Sequence, residues 1–142
     1  MTADQPTSAP TATGVELRDS PGLIAPRGHY SHVAIHGGVA YISGQLPLDV
    51  AGTPLADRPF DVQVQQVLSN LDDCLNTAGS SRQRLLSVTV YVTDIGHWPT
   101  FDAAYALWLG GHRPSRAVAC VADLHYGAAI EIQAVAAVGI GG

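Results

Sequence analysis

The feature that most constrains this chain is one amphipathic stripe set between runs of the opposite periodicity. Phe60, Val64, Val67, Leu68, Leu71, Leu75 and Ala78 recur at spacings of three and four, while Gln63, Gln65, Gln66, Asn70 and Asp73 take other faces. That spacing gathers the apolar set on one side of a helix, with Pro59 suited to its first turn and Gly79 to its end. A helix with one apolar face must cover another apolar surface, and the flanking segments supply it. Upstream, "HVAIHGGVAYISG" carries two short β-branched and aromatic runs on either side of Gly37-Gly38, a two-residue hairpin signature. Downstream, "LLSVTVYVTD" over 85–94 alternates at period two. Alternation there assigns Leu86, Val88, Val90 and Val92 to one face and Leu85, Ser87, Thr89, Tyr91 and Thr93 to the other.

A second helix is expected across "WPTFDAAYALWLGG", with Trp98, Phe101, Tyr105 and Trp108 or Leu109 aligned and Gly110-Gly111 ending it. Two strands, about 115–123 and 128–138, complete the order β-β-α-β-α-β-β. The pattern predicts an α+β layer in which both helices cover one face of a mixed sheet. The other face then lacks a helix. Because 46% of the chain is hydrophobic and only 13% charged, that face is expected to be buried by subunit association. "MTADQPTSAPTATG" (1–14) has no apolar period and reads as a flexible tail, leaving 15–142 as one domain of ordinary size.

Composition also narrows the chemistry. All seven basic residues are arginine, which removes a lysine Schiff base, a phosphate-loop lysine and a lysine general base. A net charge of −5 with no arginine run argues against nucleic acid as a partner. No apolar run approaches the ~20 residues that span a bilayer, and no signal-like segment opens the chain, so the expectation is a cytoplasmic protein with reduced thiols. Cys74 falls in the helix seam and Cys120 in a strand core, positions that favour packing over nucleophilic roles.

Two charged groups stand where they need a reason. In "AAIEIQAVAAV", alternation puts Ala129, Glu131, Gln133 and Val135 on one face and Ile130, Ile132, Ala134 and Ala136 on the other. Glu131 is either an edge glutamate pointing to water or an acid/base group whose pKa partial burial raises. In "RPSRAVACVADL", Arg116 shares a face with Val118, Cys120 and Ala122. Burying an unpaired arginine costs several kcal/mol, so Arg116 reaches solvent, pairs with an acid or awaits an anion, whose carboxylate its planar fork would match. "GHYSHVAIH" has a His-x2-His-x3-His spacing that places His32 and His36 on one face. No cysteine joins them and no carboxylate lies close in sequence, so no metal is assigned. "GGVAYISG" lacks the dinucleotide pattern, and no Gly-x-Ser-x-Gly elbow is present.

"GHYSH", "YISGQLPLD", "VTVYVTD", "RPSRAV" and "IEIQAVA" occur in an order that resembles the RidA family of reactive enamine/imine deaminases, also called the YjgF family, over about 28–138. The resemblance implies a chorismate-mutase-like (RidA-type) fold, assembled as a homotrimer with active sites in the clefts between subunits. It implies that Arg116 holds the carboxylate of a 2-imino or 2-enamino acid, that Glu131 positions or activates the hydrolytic water, and that Tyr30, Ser43 and Val118 line the pocket. The products would be a 2-oxo acid and ammonia, with no cofactor and no metal. Departures from the family pattern are His29 for proline, His32 for glutamine, Ala117 after the arginine, Val118 where cysteine or threonine is common, and Asp102 at a position often held by asparagine. The alternatives carried forward are a non-catalytic small-carboxylate-binding or chaperone-like module, and a pathway-specific deaminase on the same scaffold. Some family members have been called endoribonucleases, a reading that the acidic balance disfavours here.

Overall fold

The computed structural model of the protein describes residues 13–139, so nearly all of the tail expected at 1–14 lies outside the described residues. The expected helices form as α1 (Phe60–Thr77) and α2 (Trp98–Leu109), and the strands are β1 (Glu16–Arg18), β2 (Val33–His36), β3 (Val39–Gln45), β4 (Leu85–Val92), β5 (Ser115–Cys120) and β6 (Ile130–Ala137). They make one sheet in the order β1-β2-β3-β6-β4-β5. Among the described residues only the β4–β5 pair is parallel. A parallel neighbour requires a long crossover, which α2 supplies.

The β2–β3 hairpin turns at Gly37 (φ 58°) and Gly38 (φ 79°). Two consecutive positive φ angles are what a type I′ turn demands, and glycine takes them without a Cβ penalty. The α1 stripe is buried as its spacing requires: Val64, Val67, Leu68, Leu71, Cys74 and Leu75 sit against the sheet. Their partners are alternate residues of the strands, including Val33, Ile42, Val88, Val90, Ile130 and Ile132. Each fully buried Val, Leu or Ile contributes about 1.5–3 kcal/mol. Burial also pushes the Cys74 thiol up to about 12, which keeps it protonated and unreactive.

Three local expectations are corrected. Leu85 is buried and Leu86 is 47% exposed, the reverse of simple alternation, because the β4–β6 register shifts between Leu85 and Ser87 and a bulge flips the residues before it. Cys120 is exposed rather than a core residue, because it ends β5, the last strand of the sheet. Strand β1 adds an edge beyond β2 that three residues were too short to announce.

The face opposite the helices is open. Leu17, Ala34, Tyr41, Val135, Ser87 and Ser115 form one row across it by pairing register, and Tyr41 is 54% exposed. Among the described residues no helix is long and apolar enough to cross a membrane.

Candidate functional site

Glu131 lies on the open face. Its strand alternates as expected, with Ile130, Ile132, Ala134 and Ala136 buried against the helices, and its register partner on β4 is Tyr91. The β3 strand facing β6 bulges between Ile42 and Gln45, inserting a residue and bending the backbone. Gly44 sits in that bulge, and a Cβ there would collide with the Glu131 carboxylate. The missing side chain is what lets the carboxylate pack on the β3 backbone.

The carboxylate opens into a cleft of about 370 Å³ whose walls include Tyr30, Ser43, Gly44, His125 and Gln133. Burial raises the Glu131 pKa above its ordinary value, and the nearby His125 charge partly opposes the shift. Glu131 forms no ion pair among the described residues. The Ser43 hydroxyl donates to the Ser31 carbonyl at 2.7 Å, and the Ser43 amide donates to the His32 carbonyl at 3.0 Å. Both bonds pin the loop that presents Tyr30, which is 52% exposed. On the other side, the turn His125–Gly127 contains Tyr126 at φ 61° and ψ 20°, a left-handed conformation uncommon outside glycine.

Arg116 occupies the opposite face. Its register partner is Val88, which is fully buried beneath the helices, so the guanidinium rises toward α2. There Nη1 donates to Asp102 Oδ1 at 2.9 Å. The guanidinium carbon lies 4.7 Å from the Trp98 ring centre and 4.8 Å from that of Tyr105, within cation–π range. This second cleft is about 530 Å³ and also borders His112 and Arg113. The Tyr105 hydroxyl is buried there without a hydrogen-bond partner among the described residues. Burial raises its pKa, and the Arg116 charge works against the rise.

The structure therefore brings Tyr30, Ser43 and Glu131 together and leaves Arg116 and Val118 apart from them. Val118 pairs with Val90 and packs against the core on the helix side. Arg116 and Glu131 are separated by the sheet itself and by two strand spacings of about 4.8 Å each. Sequence reasoning missed His125, Tyr126 and the role of Gly44, since each depends on chain crossings that local pattern does not carry. Of the expected histidine group, His32 is buried with Nδ1 accepting from the Ser20 amide at 2.8 Å, and His36 contacts the Gly14 carbonyl at 3.2 Å. Among the described residues no group of three or more His, Cys, Asp or Glu could hold a metal.

Comparison with known proteins agrees with this architecture. The chain is 32% identical over 122 residues to the 2-iminobutanoate/2-iminopropanoate deaminase of Homo sapiens, covering 86% of this chain and 87% of that protein. It is 30% identical over 127 residues to protein HMF1 of Saccharomyces cerevisiae, covering 89% and 95%. The crystal structure of the YjgF gene product of E. coli superposes with a TM-score of 0.78 at 27% identity, over 84% of this chain and 95% of that one. The family described as endoribonuclease L-PSP matches residues 22–138. On that match and these relatives, the chain belongs to the endoribonuclease L-PSP family, which is the RidA (YjgF) family.

Proposed function

We propose that the protein is a deaminase that hydrolyses reactive 2-imino and 2-enamino acids to 2-oxo acids and ammonia. The observation that carries this reading is Glu131: a half-buried carboxyl group with a raised pKa, held against the Gly44 backbone in an open cleft. A carboxyl group whose pKa burial raises binds a proton more tightly than a free one and is suited to exchange protons with a bound water. The human relative's name, a 2-iminobutanoate/2-iminopropanoate deaminase, supports the same chemistry.

The steps balance without a cofactor. Water adds to the carbon of the protonated imine while Glu131 takes one of its protons. The resulting carbinolamine receives that proton on nitrogen, the C–N bond breaks as the hydroxyl gives its own proton to the Glu131 carboxylate or to water, and ammonia leaves a 2-oxo acid. An enamine first takes a proton on carbon to become the imine. Tyr30 and Ser43 border the reacting carbon. Arg116 holds the substrate carboxylate, with Val118 beside it. Since one chain carries Arg116 and Glu131 on opposite faces of its sheet, the two act on one substrate only when different copies supply them. The reading therefore includes a homotrimer, with the open sheet faces buried and the sites between subunits. Orientation of substrate and water in such a cleft is worth several kcal/mol.

The test is a coupled assay in which an amino-acid oxidase generates imines and semicarbazone trapping follows their survival. Acceleration of imine loss that vanishes in Arg116→Ala and in Glu131→Gln supports the reading; no acceleration by wild type for any imine overturns it. A second reading, a non-catalytic module that holds a small carboxylate, draws on the Asp102 pair that already engages Arg116. It predicts calorimetric binding of 2-oxobutanoate with no change in imine hydrolysis.

A further inference from the structure

Beside the Glu131 cleft lies a separate cavity of about 160 Å³. The two spaces share the border residues Tyr30, Gly44, Leu46 and His125. Beyond them the larger part of the cavity wall is apolar, built from Leu23, Ile24, Pro26 and Leu48 with the Tyr126 ring. The polar side chains in this wall are already engaged with backbone. Arg27 donates to the Gly52 carbonyl at 3.0 Å and stacks over Tyr126. Asn70 donates to the Leu46 and Leu48 carbonyls at 3.1 and 3.0 Å. Asp49 accepts from the Ala51 and Thr53 amides at 2.9 Å, Gln45 donates to the Ser43 carbonyl at 2.9 Å, and His32 accepts from the Ser20 amide. A polar occupant would lose its own hydration and find several of these donors and acceptors already spent, whereas an apolar one covers the larger, apolar part of the wall, so the cavity favours an apolar occupant.

Size fixes the occupant further. An apolar cavity of about 150 Å³ holds a benzene ring, so this one takes about six carbon atoms. From these observations we infer that the cavity is the side-chain subsite of the reaction, and that the substrate is a 2-imino acid with a branched aliphatic or phenyl side chain. The inference rests on the deaminase reading. The reacting carbon sits at Glu131, and the side chain passes between Tyr30 and His125 into the cavity. A methyl or ethyl side chain would leave most of that apolar wall uncovered and forgo its burial.

The experiment has two arms. In the coupled assay, imines from leucine and phenylalanine are expected to show kcat/KM about tenfold or more above imines from alanine and 2-aminobutyrate, the scale on which hydrophobic pockets sort side chains. Leu48→Phe, which narrows the cavity, should lower the leucine-to-alanine ratio about tenfold, and Leu48→Ala should shift preference toward phenylalanine. Equal kcat/KM across the series, or a ratio untouched by both Leu48 variants, would overturn the subsite. In the second arm, calorimetry on wild type compares 4-methyl-2-oxopentanoate with 2-oxobutanoate, and needs neither catalysis nor a variant that folds. Tighter binding of the branched acid supports the subsite even if no imine is hydrolysed, in which case the deaminase reading alone falls. Equal affinities, or no binding of either acid, reject the subsite.

Discussion

The two clefts of this molecule sit on one sheet and treat a charge in opposite ways. On the open face Glu131 is half-buried, forms no ion pair among the described residues and has a raised pKa. On the helix face Arg116 is held by a carboxylate at 2.9 Å and by the faces of Trp98 and Tyr105. An unpaired group in a partly dry setting is poised to trade protons, whereas a paired one must release or share its partner before it binds anything else. On the proposed deaminase reading, the difference gives each cleft one part of the work: the open face holds the proton carrier and the helix face holds the anchor.

The largest expected effect comes from separating these two parts. Glu131→Gln should lower kcat for imine hydrolysis by about 10²-fold or more, the usual scale for a lost acid/base group, and Arg116→Ala should chiefly raise KM. The sharper form of the test mixes the two inactive variants after joint refolding. If each site takes Arg116 from one copy and Glu131 from another, random assembly restores about a quarter of the sites. Recovery near that level supports the interface arrangement. A mixture as inactive as its components breaks it.

Next in size is the pairing itself. Asp102 engages one nitrogen of Arg116 and brings a negative charge to the place where a substrate carboxylate would arrive, so the two anions compete for one guanidinium. Asp102→Asn keeps the shape and a hydrogen-bond acceptor while removing the charge. KM for 2-imino acids should fall about fivefold, roughly 1 kcal/mol, with kcat changed little. An unchanged or raised KM would mean that Asp102 supports the clamp rather than restrains it.

Much of this scaffold is legible in the sequence because it rests on local periods. The α1 stripe, the Gly37-Gly38 turn and the two faces of β6 follow from spacing alone, and each appears as expected. What fails is whatever depends on register between distant strands. Alternation told that Arg116 and Val118 share a face, yet the pairing of Arg116 with Val88 is what decides which face that is. The inversion at Leu85 and Leu86 follows a bulge, and the exposure of Cys120 follows strand order. The closeness of Gly44 to Glu131 joins segments almost ninety positions apart, and no local pattern reports it.

A smaller effect distinguishes the two faces by stability. Because burial raises the folded-state pKa of Glu131, the native chain holds this proton to higher pH than the unfolded chain, whose glutamate titrates near 4.3. Between that value and the raised pKa unfolding releases a proton, so this group's contribution becomes less favourable as pH rises through that window. Glu131→Gln should therefore raise Tm relative to wild type at pH 7, and the gain should vanish below about pH 4. A gain of the same size at both pH values would point to altered packing against Gly44 and not to the carboxylate charge.

The smallest effect concerns His32, which is as buried as a site residue could be and yet is built into the scaffold. Its Nδ1 accepts from the Ser20 amide and its own amide donates to Asp19 at 3.1 Å. The Ser20 hydroxyl reaches Asp73 and Thr77 at 2.8 and 2.7 Å, tying the segment before β2 to α1. Burial lowers the His32 pKa, while the charges of Asp19 and Asp73 and a hydrogen bond with the Ile24 backbone act in the other direction. Between that lowered value and about 6.5 the unfolded chain binds more protons than the native one, so stability falls as pH falls through this window. Glutamine at this position has no charge to gain, and His32→Gln should flatten the Tm profile between pH 7.5 and 5.5. A profile equally steep in both proteins would assign the pH dependence elsewhere. A large loss of activity with an unchanged profile would move His32 from the scaffold to the Glu131 side of the comparison, since the charge near that cleft would then matter to the reaction rather than to the fold.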